Sequence, residues 1–133
     1  IILKTQDLDG DGPNAPVVTV SGNLAAGTEY LGAILVLNEL ESPAEDITEE
    51  VEEEDLDHQF FYTAGSGLDV TTAYGNFDSA GNPLGTVFQL TTGAAGSGSF
   101  TVTLIHEPTK PNTGLASAGG ETDIEATFNI TIK

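Results

Sequence analysis

The run Asp123-Ile124-Glu125-Ala126-Thr127-Phe128-Asn129-Ile130-Thr131-Ile132 alternates polar and apolar side chains without a break. A period of two puts every apolar side chain on one face of an extended strand, a pattern no helix can satisfy. Residues 99–106 repeat it, with Phe100, Val102 and Leu104 on one face and Thr101 and Thr103 on the other. Segments 58–63, 68–74 and 86–92, rich in Thr, Val and aromatic residues, predict further strands. Segment 29–40 carries the continuous run Leu35-Val36-Leu37 and predicts a central strand covered on both faces. Segments 1–5 and 16–20 complete the set. The glycine-rich stretches 77–83 and 93–98 predict hairpin loops, and 108–121 a looser surface loop. The expected fold is all-β, an antiparallel immunoglobulin-like β-sandwich of about seven or eight strands, with a barrel as its rival. A chain of 133 residues holds one such core, so residues 1–133 form a single domain.

One segment departs from this pattern. Ser42, Pro43 and Glu45 fit an N-cap, a first helical position and a capping-box glutamate. They predict a short helix near 43–55, inside an acidic insertion at 42–57, with Ala44, Ile47 and Val51 on its apolar face. That insertion is also where the charge gathers. The chain has 21 acidic residues against three lysines, Lys4, Lys110 and Lys133, for a formal charge of -18. Eleven of the acids lie between Glu39 and Asp57. Over a helix this long they make eight like-charge pairs at three- and four-residue spacing, each of them destabilising. Salt, a divalent cation or a basic partner is therefore expected at the surface formed by Glu45, Asp46, Glu49, Glu50, Glu52, Glu53, Glu54 and Asp55. So negative a chain offers no basic patch for nucleic acid or for an anionic membrane.

Two further clusters carry metal-ligand chemistry. Asp7, Asp9 and Asp11, followed by Gly12, reproduce the first half of an EF-hand-type calcium loop, with Asn14 as a further donor. The second half is missing, because Val18 stands where a bidentate glutamate is required. An Asp/Gly surface turn explains the same residues. His58 and His106 are the only histidines, and with Glu107 they could hold zinc or copper if their strands meet at one end.

Catalysis finds little support. The chain lacks cysteine, and no Gly-x-Ser-x-Gly elbow, phosphate-binding loop or dinucleotide fingerprint occurs. There is no tryptophan to stack on sugars. The chain is expected not to be an enzyme. Asn129-Ile130-Thr131 matches an N-glycosylation triplet, but within a strand. Asp78-Ser79-Ala80 resembles a bacterial O-glycosylation sequon and makes Ser79 a candidate glycan site in an exposed turn.

The segments 42–50, 58–62 (His-Gln-Phe-Phe-Tyr), 106–108 (His-Glu-Pro) and 120–125 (Gly-Glu-Thr-Asp-Ile-Glu) together resemble a family of small acidic secreted proteins and lipoproteins of Bacteroidetes. The resemblance spans nearly the whole chain. It implies a β-sandwich at the outer-membrane surface or outside the cell, with the periplasm as an alternative. It also implies an upstream signal peptide and lipid-bearing cysteine as the only link to a membrane. The absence of methionine fits a processed piece. The function expected is a non-catalytic, calcium-stabilised module that binds a protein partner at the cell surface. The alternative is a structural subunit whose apolar residues 1–6 add as a strand to the next copy, forming a filament or layer.

Overall fold

The computed structural model describes residues 1–133. In chain order its elements are β1 (Leu3–Gln6), β2 (Val17–Val20), β3 (Glu29–Ala33), β4 (Leu37–Asn38), β5 (Glu45–Asp46), α1 (Ile47–Glu53), a 3-10 turn (Asp55–Asp57), β6 (His58–Ala64), β7 (Val70–Tyr74), β8 (Val87–Thr92), β9 (Gly96–His106), α2 (Leu115–Ala118) and β10 (Glu121–Ile132). The expected all-β fold with one short acidic helix holds. The period-two segments became strands within a residue or two of their predicted ends, except that β9 starts at Gly96, three residues before its expected start.

Two three-stranded antiparallel sheets, ordered β3-β8-β7 and β10-β9-β6, face one another. Their inward side chains form the largest apolar cluster: Leu90 from one sheet, Phe100, Phe128, Ile130 and Ile132 from the other, with Leu24 and Leu68 closing it. The rings of Tyr62 on β6 and Phe88 on β8 stack between the sheets at a centroid distance of 4.3 Å. Gly32 on β3 makes room for this stack, since a Cβ there would lie 2.3 Å from the Phe88 ring.

The two long edges of this pair of sheets differ. Along the β6/β7 side the sheets are laced together. The Phe60 N–H donates to Leu84 O at 2.8 Å, and the Tyr74 hydroxyl donates to Phe60 O at 2.7 Å. Gln59 donates to the Tyr74 hydroxyl at 3.0 Å, and the Tyr62 hydroxyl donates to Gly85 O. On the other side β3 and β10 are both outermost, and no ladder joins them. Only the end of β10 gains a partner, where Leu24 pairs with it in parallel through Leu24 N to Thr131 O at 2.9 Å and Lys133 N to Leu24 O at 2.8 Å.

Four local expectations change. The helix begins at Ile47, because Glu45 and Asp46 pair with Asn38 and Leu37 as strands. Asp46 then serves as N-cap, accepting from Thr48 N at 2.9 Å and Glu49 N at 3.3 Å. Ala44 stays exposed, while Val51, Ile47 and the buried Thr48 face inward. Segment 29–40 is an edge strand followed by a departure from the sheet. Val36 donates to the Thr48 hydroxyl at 2.7 Å and accepts from Ile47 N at 2.9 Å, so the chain turns to hold α1. Leu31 and Leu35 are left 77% and 67% exposed, which excludes a doubly covered strand. Stretch 93–98 makes no hairpin: residues 93–95 cross from one sheet to the other, and 96–98 already belong to β9. Loop 108–121 contains α2, whose Ala118 packs beneath Phe61 and Ile105.

Candidate functional site

The open side of the two sheets is an apolar groove with a volume of about 640 Å³. Of its 24 lining residues, 20 are apolar. Tyr30, Phe88 and Leu90 line it from the β3 sheet, and Phe100, Val102, Ile124, Ala126, Phe128 and Ile130 from the opposite one. Ile1–Thr5 forms one lip, and Lys4, Thr5 and Glu39 supply its polar groups. The apolar run Leu35-Val36-Leu37 that suggested a buried strand belongs instead to the other lip, where it lines the groove together with Leu31 and Ala33.

Both strands bordering the groove present unpaired backbone. In an antiparallel ladder, hydrogen-bonded pairs alternate with non-bonded pairs. Ile34 N donates to Thr86 O at 2.9 Å and Thr92 N donates to Thr28 O at 2.9 Å, so Tyr30 and Gly32 share the same bonded phase. The N–H and C=O groups of Glu29, Leu31 and Ala33 therefore point out of the sheet. By the same reasoning, Gly65 N to Ser99 O at 2.8 Å fixes the phase of β9. Glu125, Thr127 and Asn129 of β10 then direct their backbone groups to the open side. An extended apolar chain laid here would find hydrogen-bonding partners and an apolar surface together.

The structure brings His58 and His106 together. They are cross-strand partners at a non-bonded position of the β6/β9 ladder, where facing side chains approach most closely. Their rings stack with centroids 4.9 Å apart and planes 12° from parallel. His58 is buried; its Nδ1 lies 3.1 Å from Glu54 O, and its Nε2 lies 3.9 Å from Asp123 Oδ2. Asp123 is the extra residue of a bulge between Thr122 and Ile124, a device that re-aims one side chain. The third expected member does not join them. Glu107 follows the strand in the left-handed region with φ 52°, donates its N–H to Asp57 O at 2.7 Å, and forms no ion pair with either imidazole. Asp123 went unrecognised because a bulge leaves no mark on the alternation.

The Asp/Gly loop closes on itself. Asp9 Oδ2 accepts from Asn14 N at 3.1 Å and from Asn14 Nδ2 at 2.6 Å, while Asp7 Oδ1 accepts from Asp9 N at 3.1 Å. The Asn14 bonds hold the Asp9 carboxyl below its ordinary value. Asp11 joins none of these bonds. Nowhere do three His, Asp or Glu side chains lie close enough together to enclose a metal ion.

The acidic surface divides into working and free carboxylates. Asp46 caps α1, Glu52 accepts from the Thr86 hydroxyl at 2.7 Å, and Asp55 accepts from Ser79 N at 2.7 Å and Ser79 Oγ at 3.2 Å. Glu45, which accepts from Asn38 Nδ2 at 3.5 Å, is exposed, as are Glu49, Glu50, Glu53 and Glu54. Glu45 nearby, with help from burial and from Glu54 and Glu53, pushes the Glu50 carboxyl above its ordinary value. The later helix start leaves four of the eight expected like-charge pairs within 47–54: Glu49/Glu52, Glu49/Glu53, Glu50/Glu53 and Glu50/Glu54. Ser79 lies exposed in its turn, next to the buried Asp78. Comparison of the chain with protein-family models, with curated proteins and with solved structures returns no match.

Proposed function

We propose that this chain is an exported, non-catalytic, immunoglobulin-like module of the cell envelope that binds an extended apolar segment of a partner protein as an added strand. The carrying observation is the apolar groove flanked by the outward-facing backbone of β3 and β10. Edge strands normally carry a defence, such as a charge facing inward or a covering segment. Here the β3 edge combines exposed Leu31 with an apolar floor, which favours strand addition. The resemblance of segments 42–50, 58–62, 106–108 and 120–125 to exported Bacteroidetes proteins supports the envelope location. Cations act mainly as counter-ions around α1. Calcium at Asp7, Asp9 and Asp11 requires Asn14 to release Asp9. The test is a nuclear magnetic resonance titration with an end-capped hexapeptide of alternating Ile and Thr. Shifts confined to residues 29–33 and 124–130, and lost in Leu31→Pro, support the reading. An unresponsive spectrum contradicts it.

A second reading, assembly of identical copies, is favoured by the lip itself. Ile1 and Ile2 are 54% and 68% exposed, and β1 is held to β2 by a four-residue ladder that Ser21 extends by bonding to Ile2. The same segment from a neighbouring copy would meet matching surface. Light scattering of the chain with and without residues 1–6 separates the readings, since only the self-assembling subunit loses polymers on truncation.

A further inference from the structure

We infer that His58, His106 and Asp123, with Glu121 opposite His106, close on one divalent transition-metal ion of the zinc class by side-chain rotation, since as they stand no three of them enclose an ion. Three strands contribute to a single row at one end of the sheet, His58 on β6, His106 on β9 and Glu121 on β10, paired in register. Directly opposed residues project from the same face, so the row presents two imidazoles and a carboxylate side by side.

The hydrogen bond at Nδ1 sets the chemistry. A backbone carbonyl can only accept, so the contact with Glu54 O places the proton of neutral His58 on Nδ1. Nε2 keeps its lone pair, and its ring is held by the kind of second contact that supports metal-binding histidines. That lone pair has no hydrogen-bond donor opposite it. It faces Asp123 Oδ2 at 3.9 Å, too far for a hydrogen bond. Two donors about 2.0–2.1 Å from one ion, across a tetrahedral angle, stand roughly 3.4 Å apart, so a shift of a few tenths of an ångström brings this pair into range. The side chain of His58 is 9% exposed, whereas His106 is less buried and Asp123 and Glu121 are exposed. The fixed ligand thus sits inside, and the ligands that must turn lie at the mouth. The stacked rings separate when His106 rotates to aim a nitrogen at the ion. Glu54, whose carbonyl meets Nδ1, and Asp57, next to His58 in the chain, add negative charge at this end of the sheet.

Cobalt(II), added to the full chain after chelation and dialysis, tests the site. One equivalent is expected to give the intense visible absorption of tetrahedral coordination, with zinc displacing it and calcium leaving it unchanged. His106→Gln and Asp123→Asn, both at accessible positions, should each weaken zinc binding by more than roughly tenfold, as even outer-shell changes do at metal sites. Circular dichroism of both variants confirms that they fold. Retention of the absorption in the double variant, weak octahedral absorption only, or displacement by calcium would overturn the site and place bound cations on the acidic helix.

Discussion

Lys110 and Asp78 are joined by a buried ion pair, Nζ to Oδ2 at 3.0 Å, with side chains 6% and 0% exposed. Lys110 also donates to Asp55 O at 2.8 Å, and Asp78 Oδ1 accepts from Ala80 N and Asn82 N, each at 2.9 Å. One of only three cations in the chain therefore pins the acidic insertion and the 77–83 turn to the loop after β9. Truncating one partner strands the other charge, so Lys110→Met should cost about 3–5 kcal/mol in urea unfolding. The double variant Lys110→Met with Asp78→Asn should recover a large part of that loss.

Stability should peak on the acid side of neutrality. Burial pushes the Asp78 carboxyl up, but the Lys110 bond, the backbone donors and the Lys110 charge outweigh it and leave it below its ordinary value of 3.8. Its stabilisation is complete above 3.8 and is lost as pH falls below that value. Glu50 lies above its ordinary 4.5, so the folded chain binds that proton more readily, and stability grows as pH falls through the raised value toward 4.5. Thermal melts from pH 7 to pH 3 at fixed ionic strength are expected to show a maximum between 4.5 and 3.8.

How legible these features were depended on how local they are. The alternation in β9 and β10 is written residue by residue, and both strands formed, β9 with three more residues at its start than the alternation marks. Ser42, Pro43 and Glu45 satisfied a local helix-start pattern, yet the pairing of Glu45 and Asp46 with Asn38 and Leu37 is a tertiary event that overrode it. Leu35-Val36-Leu37 is apolar on both faces because it borders an open groove and holds α1, a distinction no periodicity carries. The histidines met because their strands pair, while Asp123 entered through a bulge and Glu107 was turned aside. The partner of Lys110 stands 32 residues away, beyond the reach of any motif.

The free carboxylates of α1 should make stability depend on salt. The last turn of α1 contains no basic residue, so nothing there offsets the helix dipole. Sodium chloride is expected to raise the melting temperature, most steeply below about 0.1 M, where screening reaches the spacing of these charges. Glu50→Lys should raise the midpoint at low salt and flatten the dependence.

The laced edge should be rigid. Burial raises the pKa of the Tyr62 and Tyr74 phenols, with the Tyr74 charge adding to the effect on Tyr62. Ultraviolet titration should therefore find the Tyr62 and Tyr74 phenols ionising with midpoints above pH 10, where a free phenol is half ionised. Tyr74→Phe removes the bond to Phe60 O and should cost about 1–3 kcal/mol, the penalty for an unsatisfied buried acceptor.

Amide hydrogen exchange along β3 tests the open edge most directly. In the isolated chain, Tyr30, Gly32 and Ile34 should be protected by β8, while Leu31 and Ala33 exchange at nearly free rates. Adding the Ile/Thr hexapeptide should slow Leu31 and Ala33 and leave their neighbours unchanged. Uniform protection along β3 in the monomer, or Leu31 and Ala33 indifferent to the peptide, would contradict strand addition at the groove.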